Sequence, residues 1–247
     1  MYVTRTWIGP LACALAVGFV SPLRADDAKP LPKELAWVPT DSIAVVHVRF
    51  AELWNSAVGK DVAKLFNAVD PKTLLAFEQV SGLPLGRIDR VTFLVTTIGE
   101  RDPFEVCTIR VQTTKPYDRR DVLAALGREG GDLPRMAGRD MFSLSGNGVL
   151  HFTDERTITV IPHSGGVYSL LGGLLSKAQN GALRPALDLA SANNHVVVSV
   201  DVTKLPRPPV DEIPPEFKPL RPLLDTRTAT LVGNLRDDAA HLELRLN

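Results

Sequence analysis

The chain is poor in cysteine and in aromatic residues: two cysteines, Cys13 and Cys107, and 6% aromatics in 247 residues. Cys13 lies inside an N-terminal apolar run, so Cys107 stands alone in the rest of the chain. No internal disulfide can then brace the fold, and stability must come from a core. Charge of one sign is also lacking. Lys plus Arg is 28 and Asp plus Glu is 28. That balance provides no basic footprint for nucleic acid and no acidic tail. Sparse aromatics with no basic–aromatic interleaving argue against a stacking platform for single strands. Beyond Ile8–Val20, no stretch approaches the roughly 20 apolar residues of a membrane span.

Chemistry-bearing motifs are missing as well. HExxH, CxxC, GxSxG and the P-loop pattern do not occur. The five histidines (His47, His151, His163, His195 and His241) are scattered, with no two within five residues. No sequence-local metal site follows, and no cofactor or metal is expected. His163-Ser164-Gly165-Gly166 lies at a strand-to-helix turn, but the phosphate-loop spacing and its lysine are absent. Asp154-Glu155 and Asp237-Asp238 fall in predicted turns, where Asp satisfies local backbone donors.

What is present is a globular composition, 45% hydrophobic and 23% charged, with 19 prolines that call for stiff loops. Residues 1–25 follow the grammar of a cleaved secretory signal. Arg5 supplies the charge, Ile8–Val20 the apolar run, and Leu23-Arg24-Ala25 the cleavage region. Cys13 sits in the middle of that run, which argues against a lipid anchor. With the signal removed, no transmembrane span is expected.

Residues 26–40 read as a proline-containing tether pinned by Trp37. Residues 41–247 read as one domain. Alternation predicts strands over 42–50, 90–97, 104–113, 141–144, 149–153, 157–161, 196–202, 228–235 and 241–246. Helical spacing predicts helices over 51–66 (interrupted near Gly59), 71–80, 118–126, 167–179 and 183–190. A loop over 205–222 carries seven prolines.

Val45–Leu53 aligns with Val197–Leu205, and each is followed by a predicted hairpin. We read this as a degenerate two-fold repeat of strand–connection–hairpin blocks, 42–113 and 196–246, around a middle segment, 118–190. The expected fold class is α+β, a mainly antiparallel sheet with helices on one face. Val46, Val48, Phe50, Val198, Val200 and Val202 are expected under the helices. His47, Arg49, Arg110, Ser199, Asp201, Glu243 and Arg245 are expected on the open polar face, where Arg49 and Asp201 could pair. Cys107 is expected to be buried with Ile109 and Val111.

The runs DSIAVVHVRFAELWNSAVGKDVAKLF, RIDRVTFLV and FEVCTIRVQTTKPYDRRDVLAALG resemble a family of exported, signal-peptide-bearing proteins of planctomycete bacteria, over about residues 40–246. The resemblance implies export, to the periplasm or beyond, and a shared fold. It carries over no activity and assigns no functional residue.

Two functional readings lead. One is a non-catalytic exported domain that binds or scaffolds a protein or glycan partner outside the cytoplasm. The other is a small-molecule or glycan-binding module using the seven polar residues above. A hydrolase assembled from distant strands ranks third. It would require a histidine bonded to both a carboxylate and a hydroxyl in a cleft.

Overall fold

Val, Ile and Thr dominate the predicted strands, and these shapes suit a pleated, half-buried surface. The computed structural model describes residues 30–61, 64, 78, 81–96, 107–125, 141–143, 148–161, 181–206, 225–236 and 239–247. Its nine strands are β1 (Ala44–Val48), β2 (Ile88–Val95), β3 (Cys107–Thr113), β4 (Met141–Ser143), β5 (Val149–Phe152), β6 (Thr157–Ile161), β7 (Val196–Asp201), β8 (Thr228–Arg236) and β9 (Ala239–Leu246). They form one open antiparallel sheet in the order β4-β5-β6-β3-β2-β1-β7-β8-β9. Helices α1 (Phe50–Asn55), α2 (Arg119–Ala125) and α3 (Arg184–Ser191) accompany it among the described residues. None among the described residues is long and apolar enough to cross a membrane.

Strand register fixes what each face carries. One row crosses all nine strands as Met141, His151, Thr159, Arg110, Thr92, His47, Val197, Val232 and Glu243. The neighbouring row, on the opposite face, is wholly apolar: Phe142, Leu150, Val160, Ile109, Phe93, Val46, Val198, Leu231 and Leu244. Side chains alternate at period two, so the sheet has one mixed polar face and one apolar face.

The polar face is not the open one, and this corrects the expectation. Val45, His47, Val197, Ser199 and Asp201 are buried, whereas Val46, Val48, Val198 and Val200 are only half-buried. The cause is cover. The described part of the segment expected to be a tether, 30–40, lays Leu35, Trp37 and Val38 onto the polar face. Leu183, Ala186, Leu187 and Ala190 of α3 join them around Val45, Leu94, Met141, Val149, Ile161 and Val197. Each Val, Leu, Ile or Met side chain among them contributes about 1.5–3 kcal/mol when fully buried.

Helices pack on both faces, not one. On the apolar face, Val122 of α2 and Leu83 meet Leu150, Phe152 and Ile158 in a smaller second core. Both faces need cover because apolar residues alternate with polar ones even on the polar side.

Local signals explain most element ends. Pro185 opens α3, and Asn193, at φ 65°, turns the chain from α3 toward β7. The first predicted helix is interrupted at Ser56, which adopts an extended conformation (ψ 165°), and it resumes over 57–61. A Cβ at Gly59 would collide with the Leu53 carbonyl, so this close return needs glycine. The signal segment, the predicted helices over 167–179 and nearly all of 71–80, the His163 turn, Asp237-Asp238 and most of the proline-rich loop lie outside the described residues.

Candidate functional site

A pocket of about 220 Å3 opens on the polar face over β1, β2, β3 and β6. Two cross-strand rows build its floor. His47, Thr92 and Arg110 are successive partners in one, and Arg90, Gln112 and Thr157 in the next. A register shift between Ile88 and Arg90 precedes the entry of Arg90 into this row. Lys33 and Glu34 overhang the pocket from the N-terminal segment, and Asp154 enters from the β5–β6 turn.

The surrounding structure holds these groups in place. Tyr117 donates its hydroxyl to the Asp154 carbonyl at 2.6 Å, and the Arg156 N–H donates to Asp154 Oδ1 at 2.8 Å. His47 Nδ1 lies 2.9 Å from Thr92 Oγ1. Burial, followed by the charges of Arg90 and Arg49, lowers the His47 pKa to about 4, so its ring is neutral at physiological pH.

Arg110 stacks over the Trp37 ring, with Cζ 5.1 Å from the centroid. Burial lowers its pKa to about 10, opposed by the more distant charges of Asp154 and Glu34. It remains a cation at neutral pH, and among the described residues no carboxylate lies within ion-pair distance of it. Arg90 Nε lies 3.2 Å from Asp89 Oδ2, close enough for attraction. Yet this buried N–H finds no acceptor in hydrogen-bonding geometry. Two guanidiniums therefore face a polar cavity with donor capacity to spare.

Of the seven polar residues expected to form a site, the structure brings only His47 and Arg110 together here. Ser199 is buried and shares a 2.8 Å hydrogen bond with Thr230. Asp201 caps the turn Val202–Lys204, accepting from the Thr203 hydroxyl at 2.6 Å and the Thr203 N–H at 3.2 Å. Arg49 pairs with Glu52, not with Asp201. Antiparallel pairing puts Arg49 beside His195 and Asp201 beside Ile43, at opposite ends of β1 and β7. Glu243 and Arg245 pair with each other on the exposed strand β9. Cys107 lies half-buried on the apolar face opposite Val95, its thiol pKa raised by burial.

Sequence reading missed Lys33, Glu34, Arg90, Thr92, Gln112, Asp154 and Thr157. A signal was available for some of them. Arg90 and Thr92, like Arg110 and Gln112, are i and i+2 in predicted strands and must share a face.

Parts of a general-base arrangement stand apart at His47 and His195. His47 has a hydroxyl, Thr92, and His195 has a carboxylate, with Nε2 3.6 Å from Glu52 Oε2. Neither has both among the described residues. No group of three or more His, Cys, Asp or Glu side chains there is placed to hold a metal ion.

No family model matches the chain, and no curated protein matches it. Among solved structures, crystal form I of the treponemal protein TP0453 aligns with a TM-score of 0.47 at 12% identity, covering 87% of this chain and 78% of that one. Crystal form IV gives 0.44 at 11% identity, covering 89% and 81%. At these values the chain is loosely similar in shape to that protein, and no function transfers.

Proposed function

We propose that this protein is an exported, non-catalytic binding module whose polar sheet face holds a small hydroxylated carboxylate. The observation that carries the reading is the Arg110 guanidinium, stacked on Trp37 with no carboxylate at ion-pair distance among the described residues, in the same pocket as Arg90, whose Nε finds no acceptor. Guanidinium forks match carboxylates in two-point geometry. Thr92, Thr157 and Gln112 supply hydrogen bonds for ligand hydroxyls, while Asp154 and Glu34 can accept from them.

The cavity is smaller than the roughly 300–1,000 Å3 of sites for drug-sized ligands, which favours a ligand of monosaccharide size or below. A ring held at pKa about 4 is poorly matched to general-base work near neutral pH, which favours binding over hydrolysis. Export rests on the signal grammar of residues 1–25 and the planctomycete resemblance.

We also infer that the two strand blocks descend from one duplicated unit. In support, Val46 and Val198, equivalent in the sequence alignment, stand directly opposite each other in the neighbouring strands β1 and β7. The flanking bonds are reciprocal: the Arg49 N–H donates to the His195 carbonyl at 2.8 Å, and the Asp201 N–H to the Ile43 carbonyl at 2.7 Å. His47–Thr92–Arg110 in one block corresponds by register to Ser199–Thr230–Arg245 in the other. On this reading the pocket was elaborated in the first block alone.

Isothermal titration with glucuronate, glucose and acetate tests the site. Glucuronate should bind more tightly than either, and Arg110→Ala should remove that binding while leaving the circular dichroism spectrum unchanged. Equal affinity for glucose and glucuronate, or Arg110→Ala binding as well as wild type, would overturn the assignment.

A further inference from the structure

β9 ends the sheet and pairs only with β8 among the described residues. All eight of its residues are exposed, and no proline or register shift interrupts it. Natural edges are usually blunted by such devices. Leu242, Leu244 and Leu246 are 72%, 56% and 39% exposed, with Leu231 of β8 beside them at 37%. They continue the apolar face to its rim.

The backbone at this edge is open too. Asn247 and Thr228 exchange hydrogen bonds of 3.0 and 2.9 Å. Antiparallel pairs alternate, so residues 245, 243 and 241 also turn their polar groups toward β8. Leu246, Leu244, Leu242 and Ala240 then direct N–H and C=O outward, ready for another strand.

We propose that β9 pairs antiparallel with β9 of a second copy, about a two-fold axis at Leu244, continuing one sheet through a dimer. Charge selects this register. An axis at Glu243 or at Arg245 would set that residue against itself, and like charges directly opposite are unfavourable. An axis at Leu242 would set Glu243 opposite His241 and Arg245 opposite Ala239, leaving Arg245 without an acidic partner across the seam. The axis at Leu244 sets Glu243 opposite Arg245 of the partner subunit, twice by symmetry. It also sets Leu242 opposite Leu246 of the partner subunit, again twice. An isologous contact requires this kind of self-complementarity. Within one chain, Arg245 Nε and Nη2 donate to Glu243 Oε1 and Oε2 at 2.8 and 3.1 Å, so both charges already sit on the surface that the second strand would meet.

Sedimentation equilibrium of the purified full chain, from micromolar to several hundred micromolar, tests the proposal. Wild type should be a dimer. Glu243→Arg, Arg245→Glu and Leu244→Lys should each be monomeric with unchanged circular dichroism. The double variant Glu243→Arg/Arg245→Glu should recover the dimer, because the pairing is restored with its signs exchanged. If one single variant fails to fold, the other two and the double variant carry the test. A monomeric wild type, a higher oligomer, folded single variants that remain dimeric, or a double variant that stays monomeric would overturn the proposal.

Discussion

His47 Nδ1 lies 2.9 Å from Thr92 Oγ1 on the floor of the pocket, with only 2% of the histidine exposed. Burial and the charges of Arg90 and Arg49 hold its pKa at about 4, with Glu34 opposing weakly. In the unfolded chain the ring takes up its proton near pH 6.5, so the unfolded state binds more protons between about pH 6.5 and 4. This contribution to stability is fully present above pH 6.5 and is lost as pH falls toward 4, up to about 3 kcal/mol. Urea denaturation across that window should show the loss, and His47→Gln should flatten it. Identical pH profiles for wild type and His47→Gln would show that another group is responsible.

The two faces of β1 make a second test. Val45 is 1% exposed and packed in the larger core, while Val48 on the opposite face is half-buried. Val45→Asp should abolish cooperative unfolding, because a buried unpaired charge costs several kcal/mol. Val48→Asp should leave a folded protein with a lowered thermal midpoint. A folded Val45→Asp protein beside an unfolded Val48→Asp protein would reverse the faces.

That contrast shows where sequence reading stops. Period-two alternation located the described strands to within a few residues and correctly put His47, Arg110, Ser199 and Arg245 on one face. It could not say which face would be covered. The answer depends on Leu35, Trp37 and Val38, which look like part of a linker until they are seen against Leu94 and Val197. The pocket was hidden for the same reason, since Lys33 and Glu34 roof it from that segment. The separation of Arg49 from Asp201 follows from the antiparallel direction of β7, which residue spacing alone does not encode.

Export makes a third prediction, motivated by Arg5, the Ile8–Val20 run and the Leu23-Arg24-Ala25 region. Intact-mass analysis of the extracytoplasmic fraction from a related host should find a chain beginning near Asp26. Recovery there of a chain that still begins at Met1 would argue against a cleaved signal.

The last prediction concerns Ser199 and Thr230, whose 2.8 Å hydrogen bond is buried between β7 and β8. Ser199 is fully buried and Thr230 is 3% exposed, so water cannot readily replace either partner. Ser199→Ala removes one hydroxyl and leaves the Thr230 hydroxyl without this partner, which should cost about 1–3 kcal/mol. Thr230→Val should cost a similar amount for the reciprocal reason. Ser199→Ala/Thr230→Val removes both polar groups and nearly preserves the shape, so it should lie closer to wild type than the two single losses added together. Urea unfolding of all four proteins closes the cycle. Additive losses would mean that the two hydroxyls do not depend on each other. The bond would then be a bystander to the packing of β7 on β8, and its correspondence with His47–Thr92 would lose its energetic meaning.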